Sequence, residues 1–254
     1  MPEPSARFPG FPVPTGHVEP VPRRIRGRID GRTVFDTRHA RYVWEWPPYP
    51  QYSVPVTDIA QGALVDEGIV DDLAPGPARR YSLSWGSETR PGAAWLWEAG
   101  APEALHGTVR FRWDALDAWY EEDERVFVHP RSPYVRVDAV RSATAVRVEA
   151  AGTVLADAPS CVMVFETGLP TRYYLDPVYV DWTLLRPTRT ETACPYKGTT
   201  SGYWSFTDAD GTSHDDILWA YDFPTTALAP ISRMVAFYNE RTTVFLDDVL
   251  QPRP

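Results

Sequence analysis

Arg26-Gly27-Arg28-Ile29-Asp30-Gly31-Arg32-Thr33-Val34-Phe35-Asp36 and Arg147-Val148-Glu149-Ala150-Ala151-Gly152-Thr153-Val154-Leu155-Ala156-Asp157 read as one stretch of sequence written twice, 121 residues apart. Arg26 falls on Arg147, Gly31 on Gly152 and Asp36 on Asp157, with Val34 matched conservatively by Leu155. At the same offset Val43 falls on Val164, Glu45 on Glu166 and Tyr52 on Tyr173, which makes six identities in the ungapped 34 residues from Arg26 to Ile59. Chance supplies about two over such a length. A second block, at an offset of 118, pairs Ala118-Trp119-Tyr120 with Ala236-Phe237-Tyr238, and Val126-Phe127-Val128 with Val244-Phe245-Leu246. The chain is therefore expected to be two diverged copies of one domain.

Each copy reads mainly as strands. In the second, 145–149, 153–156, 161–166, 172–175 and 178–185 are rich in β-branched and aromatic residues, and 203–206, 217–221 and 243–246 continue the pattern. Ala151-Gly152, Gly168-Leu169-Pro170 and Asp176-Pro177 punctuate these runs as turns. One helix per copy is expected: Pro230–Asn239 places Ile231, Met234, Val235 and Tyr238 at helical spacing, and Trp113–Glu122 does the same with Leu116, Trp119 and Tyr120. The expected fold is mainly β, two tandem antiparallel domains each with one short α-helix. The expected limits are an N-terminal arm over 1–22, a first repeat over 23–130, a linker over 131–144 and a second repeat over 145–254. Residues 61–80, acidic and containing Pro and Gly, read as a long loop specific to the first copy.

Composition narrows the function classes. With 43% hydrophobic and 23% charged residues in 254, the chain can bury two cores. No apolar run approaches the ~18 residues of a membrane span, and the proline-rich start lacks a signal-peptide core. Neither a membrane nor a secretory route is expected, which leaves the cytoplasm. A net charge of −9 argues against a nucleic-acid partner. The basic run Arg23-Arg24-Ile25-Arg26-Gly27-Arg28 reads either as a solvated strand face or as an anion contact. Cys161 and Cys194, the two cysteines, are expected as reduced thiols, and with five scattered histidines they do not make a zinc set. No metal or other cofactor is expected, and oligomeric state is not legible.

Lys and Arg total 25, yet only Lys197 is lysine. Arginine bias of this kind reflects GC-rich coding and carries no physics. A lone lysine against it is a candidate for work arginine cannot do, since an ammonium is a compact charge that loses its proton when buried.

The second copy resembles a known family, the bacterial domain of unknown function 427. The resemblance rests on Phe165-Glu166, Thr171-Arg172-Tyr173-Tyr174-Leu175-Asp176, Val180-Asp181, Leu184-Leu185, and above all Thr192-Ala193-Cys194-Pro195-Tyr196-Lys197-Gly198 leading to Tyr203-Trp204-Ser205. Trp219-Ala220-Tyr221 and Val235-Ala236-Phe237-Tyr238 close it. It covers about 100 residues of the second copy and, more weakly, the first. It implies a β-tent-like fold, a small cup of antiparallel sheets. The zinc ligands of characterised proteins in that fold group are absent here. The nucleotidyltransferase-like label sometimes attached to the family lacks its Gly-Ser pair and spaced aspartates. Fold alone does not give function.

The chemistry on offer lies in the second copy. Cys194 and Lys197 are three apart, and Pro195 and Gly198 permit a turn that brings both side chains to one side. A nearby ammonium favours a thiolate and steadies an oxyanion. With Glu166 as base, the three make a candidate catalytic set for a cysteine-dependent hydrolase or transferase acting on an acyl or amide group. Tyr173, Tyr174, Trp204, Trp219 and Tyr221 are candidates for the walls of a small-molecule pocket. The first copy offers only Leu83-Ser84-Trp85-Gly86 at the matching place, so it reads as degenerate, a packing partner or a lid. Each assignment has a plainer competitor. Buried thiols are commonly inert, Glu166 could simply pair with an arginine, and the aromatics could be core. Asp176-Pro177 reads as turn chemistry, and Asp208, Asp210 and His214-Asp215-Asp216 as a solvated turn rather than a cation site. Lys197-Gly198-Thr199-Thr200 has its glycine on the wrong side of the lysine for a phosphate loop. The alternatives to an enzyme are a non-catalytic module binding a small ligand in the same aromatic cup, and a structural or interaction protein.

Overall fold

The computed structural model describes residues 10–254; the beginning of the expected arm, 1–9, lies outside the described residues. The chain divides into two compact units, 11–134 and 135–254.

In the first unit a seven-stranded sheet runs in the order Val18–Pro20, Arg41–Val43, Gln51–Pro55, Thr108–Phe111, Glu88–Trp97, Gly76–Trp85, Leu64–Leu73. A four-stranded sheet runs Glu124–Val126, Ala118–Glu121, Ile25–Ile29, Arg32–Thr37. The second unit repeats this plan. Its seven-stranded sheet is Val137–Ser142, Cys161–Glu166, Arg172–Leu175, Met234–Phe237, Ser213–Tyr221, Gly202–Thr207, Leu185–Pro187, and its four-stranded sheet is Thr153–Ala158, Val146–Ala150, Thr243–Leu246, Val249–Leu250. The paired strands are antiparallel throughout.

The opening stretch of sequence forms the same hairpin in both units. Ile25–Ile29 and Val146–Ala150 alternate buried and half-buried side chains, the period-2 signature of a half-covered sheet. Asp30-Gly31 and Ala151-Gly152 both have positive φ at the two turn positions (49° and 71°; 46° and 75°), the mirror-image turn that suits a two-residue hairpin. The Gly31/Gly152 identity is therefore a backbone requirement. In the second unit, Val146, Val148, Leu155, Ala156, Leu175, Phe206, Leu218 and Phe237 fill the space belonging to one face of the large sheet. Val162, Val164, Tyr174, Tyr203, Trp219, Tyr221, Leu228, Ile231 and Ala236 form a separate cluster.

Several expectations are corrected. Among the described residues there is no α-helix. The segment expected as a helix over 230–239 is the end of a 3₁₀ turn, Thr226–Ile231, followed by the strand Met234–Phe237, in which Val235, Ala236 and Phe237 are all buried. A short strand covered on both faces has apolar residues at helical as well as strand spacings, so periodicity cannot separate the two. Over 113–122 the 3₁₀ turn Trp113–Ala115 precedes the strand Ala118–Glu121, whose burial alternates. The strand expected over 178–185 is two 3₁₀ turns, Pro177–Tyr179 and Trp182–Leu184. Asp176 and Asp181 cap them by accepting from the backbone N–H of Val178 and Thr183. The loop expected over 61–80 is a long edge hairpin whose carboxylates meet arginines: Arg80 donates to Asp71, and Arg79 lies 3.5 Å from Asp66. Charged edge strands are a normal defence against aberrant pairing, which is why the composition looked like a loop. Within the stretch expected as an arm, Val18–Pro20 pairs with Arg41–Val43. Within the expected linker, Val137–Ser142 pairs along Cys161–Glu166.

The register also corrects the second block of the repeat. Arg110 lies opposite Ser53 and Ala236 opposite Tyr174, so Arg110 corresponds to Ala236, an offset of 126. Trp119 lies opposite Gly27 and Val244 opposite Val148, an offset of 125. Alternating apolar strands slide past one another at low cost in similarity, and the offset of 118 arose that way.

Candidate functional site

The site is built on the large sheet of the second unit. Cross-strand partners share a face, so Tyr174, Ala236 and Trp219, which stand side by side on three adjacent strands, point the same way. Two residues along, Arg172 and Tyr221 point with them; Tyr203, opposite Trp219, completes the row. After Pro187 the chain leaves the sheet and returns at Gly202. In between, Ala193–Cys194 pairs with Gly198–Thr199 as a small hairpin. Thr192 and Thr200 clasp its base, each backbone N–H reaching the other residue (2.9 Å to Thr200 Oγ1 and 2.9 Å to the Thr192 carbonyl). Thr225 ties its tip, donating from its backbone to the Lys197 carbonyl and from its hydroxyl to the Tyr196 carbonyl, 2.6 Å away. Gly198 has a φ of 100°, where a Cβ would be strained.

The hairpin turn brings the expected residues together. Lys197 Nζ donates to Glu166 Oε2 and lies 3.9 Å from Cys194 Sγ. Lys197 and Glu166 are each only 8% exposed, whereas Cys194 is half-buried. Glu166 comes from the end of the strand Cys161–Glu166. All three line one cavity of about 190 Å³ with Tyr174, Trp219 and Tyr221, and with Leu169, Pro170, Arg172, Thr192, Ala193, Tyr203 and Tyr238.

Two expected wall residues lie elsewhere. Tyr173 packs against the other core, as strand alternation requires of the neighbour of Tyr174. Trp204, neighbour of Tyr203, also packs there, with its ring against Trp182 at 5.2 Å between centroids and its edge over Gly202. Arg172, Thr192, Tyr203 and Tyr238 belong to the family motifs but not to the expected walls, and all four line the cavity. The period-2 rule applied from Tyr174 would have found Arg172, and applied from Trp219 it links Tyr221.

Most polar tips of the walls are committed within the protein. Trp219 Nε1 donates to the Tyr174 hydroxyl at 3.1 Å, and the Thr192 and Tyr203 hydroxyls lie 2.8 Å apart. Arg172 donates to both carboxylate oxygens of Glu240 at 2.6 Å and to Asn239 at 3.1 Å, and stacks near the rings of Trp219 and Tyr238. Burial, aided by a hydrogen bond with Tyr203, pushes the Tyr238 phenol up to about 12, and burial holds those of Tyr174 and Tyr221 further above the usual range. These phenols are hydrogen-bond donors at neutral pH. Cys161 is different: burial in the core, with the charge of Asp247 adding to it, pushes its thiol up to about 11.

The remaining candidates find local partners. Asp208 accepts from His214, Thr212 and Asp210, and Asp216 accepts from the hydroxyls of Thr188 and Thr190. In the first unit the basic run meets carboxylates, Arg23 with Glu121, Arg24 with Asp36 and Arg26 with Asp123. Among the described residues no helix is long and apolar enough to cross a membrane.

Fold and site together define a tandem antiparallel β protein with a polar, aromatic-walled cavity in its second unit. The chain belongs to the family described as domain of unknown function DUF427, whose model matches it twice, over residues 17–122 and 138–248. A comparison with curated proteins finds no match.

Proposed function

We propose that the second unit is a small-molecule enzyme that processes an acyl or amide group, with Cys194 as nucleophile. The observation that supports this reading is the chain Glu166–Lys197–Cys194, its ion pair buried, on the wall of a cavity half of whose other lining residues are aromatic. In this scheme Lys197 passes a proton to Glu166 and takes the one on Cys194 Sγ. The thiolate attacks the substrate carbonyl carbon, a C–S bond forms, and the ammonium steadies the developing oxyanion. Collapse breaks the bond to the leaving group, which takes up the relayed proton. Water then adds to the thioester carbonyl, the C–S bond breaks, a proton from the water returns to Cys194 Sγ, and the acid is released. A cytoplasmic setting, where thiols stay reduced, suits a free Cys194.

The second reading, a non-catalytic cup for a small ligand, is favoured by the aromatic walls. Exposure to p-nitrophenyl acetate separates the two. The enzyme reading expects a burst of one nitrophenolate per chain and an acetyl group on Cys194, both lost in Cys194→Ala. Turnover that persists unchanged in Cys194→Ala, or no acylation at all, rejects it.

A further inference from the structure

The walls of this cavity say what kind of molecule fits it, on the reading that it holds a small molecule. Three lining side chains carry charge: Glu166, Arg172 and Lys197. None is free to meet a charged ligand. Lys197 is paired with Glu166, and Arg172 is held in a two-pronged bridge by Glu240. An anionic ligand would have to break one of these pairs, and leaving a buried carboxylate without its cation is costly.

One polar group is unspent. Tyr221 is 5% exposed, its side chain lines the cavity, and its hydroxyl has no hydrogen-bond partner among the described residues. A phenol hydroxyl that reaches the cavity without a partner in the protein is a donor available to a ligand acceptor. The hydroxyl stays protonated at neutral pH, because burial holds its pKa above the usual phenol range. It therefore donates. Tyr221 lines the same cavity as Cys194, Lys197 and Glu166, the proposed reacting groups.

Size is the third consideration. The cavity, open on one side, offers about 190 Å³, room for a body about the size of the benzene ring that a cavity of roughly 150 Å³ accommodates. Its floor is aromatic, with the rings of Trp219 and Tyr238 4.3 Å apart between centroids.

We infer that the site takes an uncharged, single-ring-sized carbonyl compound, an ester or amide, whose carbonyl oxygen accepts from the Tyr221 hydroxyl while its body lies against Trp219 and Tyr238. Tyr221 then serves with Lys197 as the second donor to the oxyanion that forms when the thiolate adds to that carbonyl.

Titration of the full chain with benzamide, benzoate and benzene, followed by tryptophan fluorescence or ligand-observed NMR, tests this. Benzamide is expected to bind at least tenfold more tightly than benzoate. Tyr221→Phe is expected to weaken benzamide about tenfold while leaving benzene unchanged, the benzene measurement also showing that the variant keeps its cavity. If the variant does not fold, the benzamide-to-benzoate ratio of the unaltered protein decides alone. Benzoate binding as tightly as benzamide, benzamide failing to bind, or a folded Tyr221→Phe that binds benzamide normally would each overturn the inference. The Cys194 reading is judged separately, by whether p-nitrophenyl acetate acylates that residue. Acylation with tight benzoate binding rejects the neutral-ligand inference alone, whereas benzamide binding without acylation rejects the enzyme reading alone.

Discussion

The same sheet face carries opposite solutions in the two units. In the first, Arg110 occupies the position of Ala236 and makes a two-pronged bridge to Glu45, the counterpart of Glu166, at 2.9 and 3.0 Å. Its guanidinium lies 4.9 Å from the ring of Trp95, which the register equates with Trp219. Trp95 Nε1 donates to Asp71, on the edge strand that continues to Leu73. Trp97, at the place of Tyr221, donates to Ser53, at the place of Tyr174. In the second unit the matching edge strand stops at Pro187 and the chain makes the detour that carries Cys194 and Lys197. An alanine stands in place of the arginine, a lysine from the detour supplies the charge, and a cavity is lined by that lysine and by Tyr174 and Trp219, the cross-strand neighbours of the alanine. One carboxylate on one scaffold is neutralised from within the sheet in the first case and from an inserted hairpin in the second. The catalytic candidate thus coincides with a longer detour and a smaller residue in the second unit than at the matching places of the first.

The largest effect expected is at Lys197. Lys197→Met leaves Glu166 buried without its cation, and chemical denaturation should show a loss of ~3 kcal/mol or more. The double variant Glu166→Leu/Lys197→Met should recover much of that stability while remaining unable to form an acyl-enzyme. A single variant as stable as the parent would mean that the pair is water-exposed in solution.

The exchange itself can be probed next. Arg110→Ala should cost ~2 kcal/mol, less than the Lys197 variant because the Arg110–Glu45 pair is more exposed. Ala236→Met should cost ~1–3 kcal/mol through overpacking and abolish benzamide binding. Retained binding in Ala236→Met would show that the ligand does not lie over the Tyr174–Ala236–Trp219 row.

The smallest effect separates the two thiols. Cys161 has its pKa raised on folding from 9.0 to about 11. Its contribution is fully present below the unfolded value and is lost as pH rises through the folded one. Stability should therefore fall between pH 9 and about 11, by up to roughly 2 kcal/mol. Denaturation midpoints of Cys161→Ala measured across that window should fall less steeply than those of the parent; parallel slopes would contradict the assignment.

How much of this was legible follows from the kind of signal each feature leaves. The paired hairpins at Asp30-Gly31 and Ala151-Gly152 were readable because positive φ selects glycine at a fixed place. The Cys194–Lys197–Glu166 grouping was readable because a lone lysine beside a cysteine is compositionally rare in an arginine-rich chain. Helix and doubly covered strand were confused at Met234–Phe237, where apolar spacing serves both. The acidic hairpin from Leu64 to Trp85 was mistaken for a loop because an edge strand needs only cross-strand charges, supplied by Arg79 and Arg80. Tyr173 and Trp204 were assigned to the pocket by residue type, although each sits next to a cavity residue in a strand and so points away. The neutralising role of Arg110 left no local signal, since its partner Glu45 is 65 residues distant in sequence.

The most direct test of the central claim, that the working site belongs to the second unit and depends on the thiol–amine pair, is the rate at which iodoacetamide alkylates Cys194 near neutral pH, followed by peptide mass spectrometry. The account predicts that Cys194 is modified well ahead of Cys161, and that folded Lys197→Met slows modification at Cys194 at least tenfold. Equal rates at the two thiols, or a folded Lys197→Met in which Cys194 reacts as fast as in the parent, would contradict it.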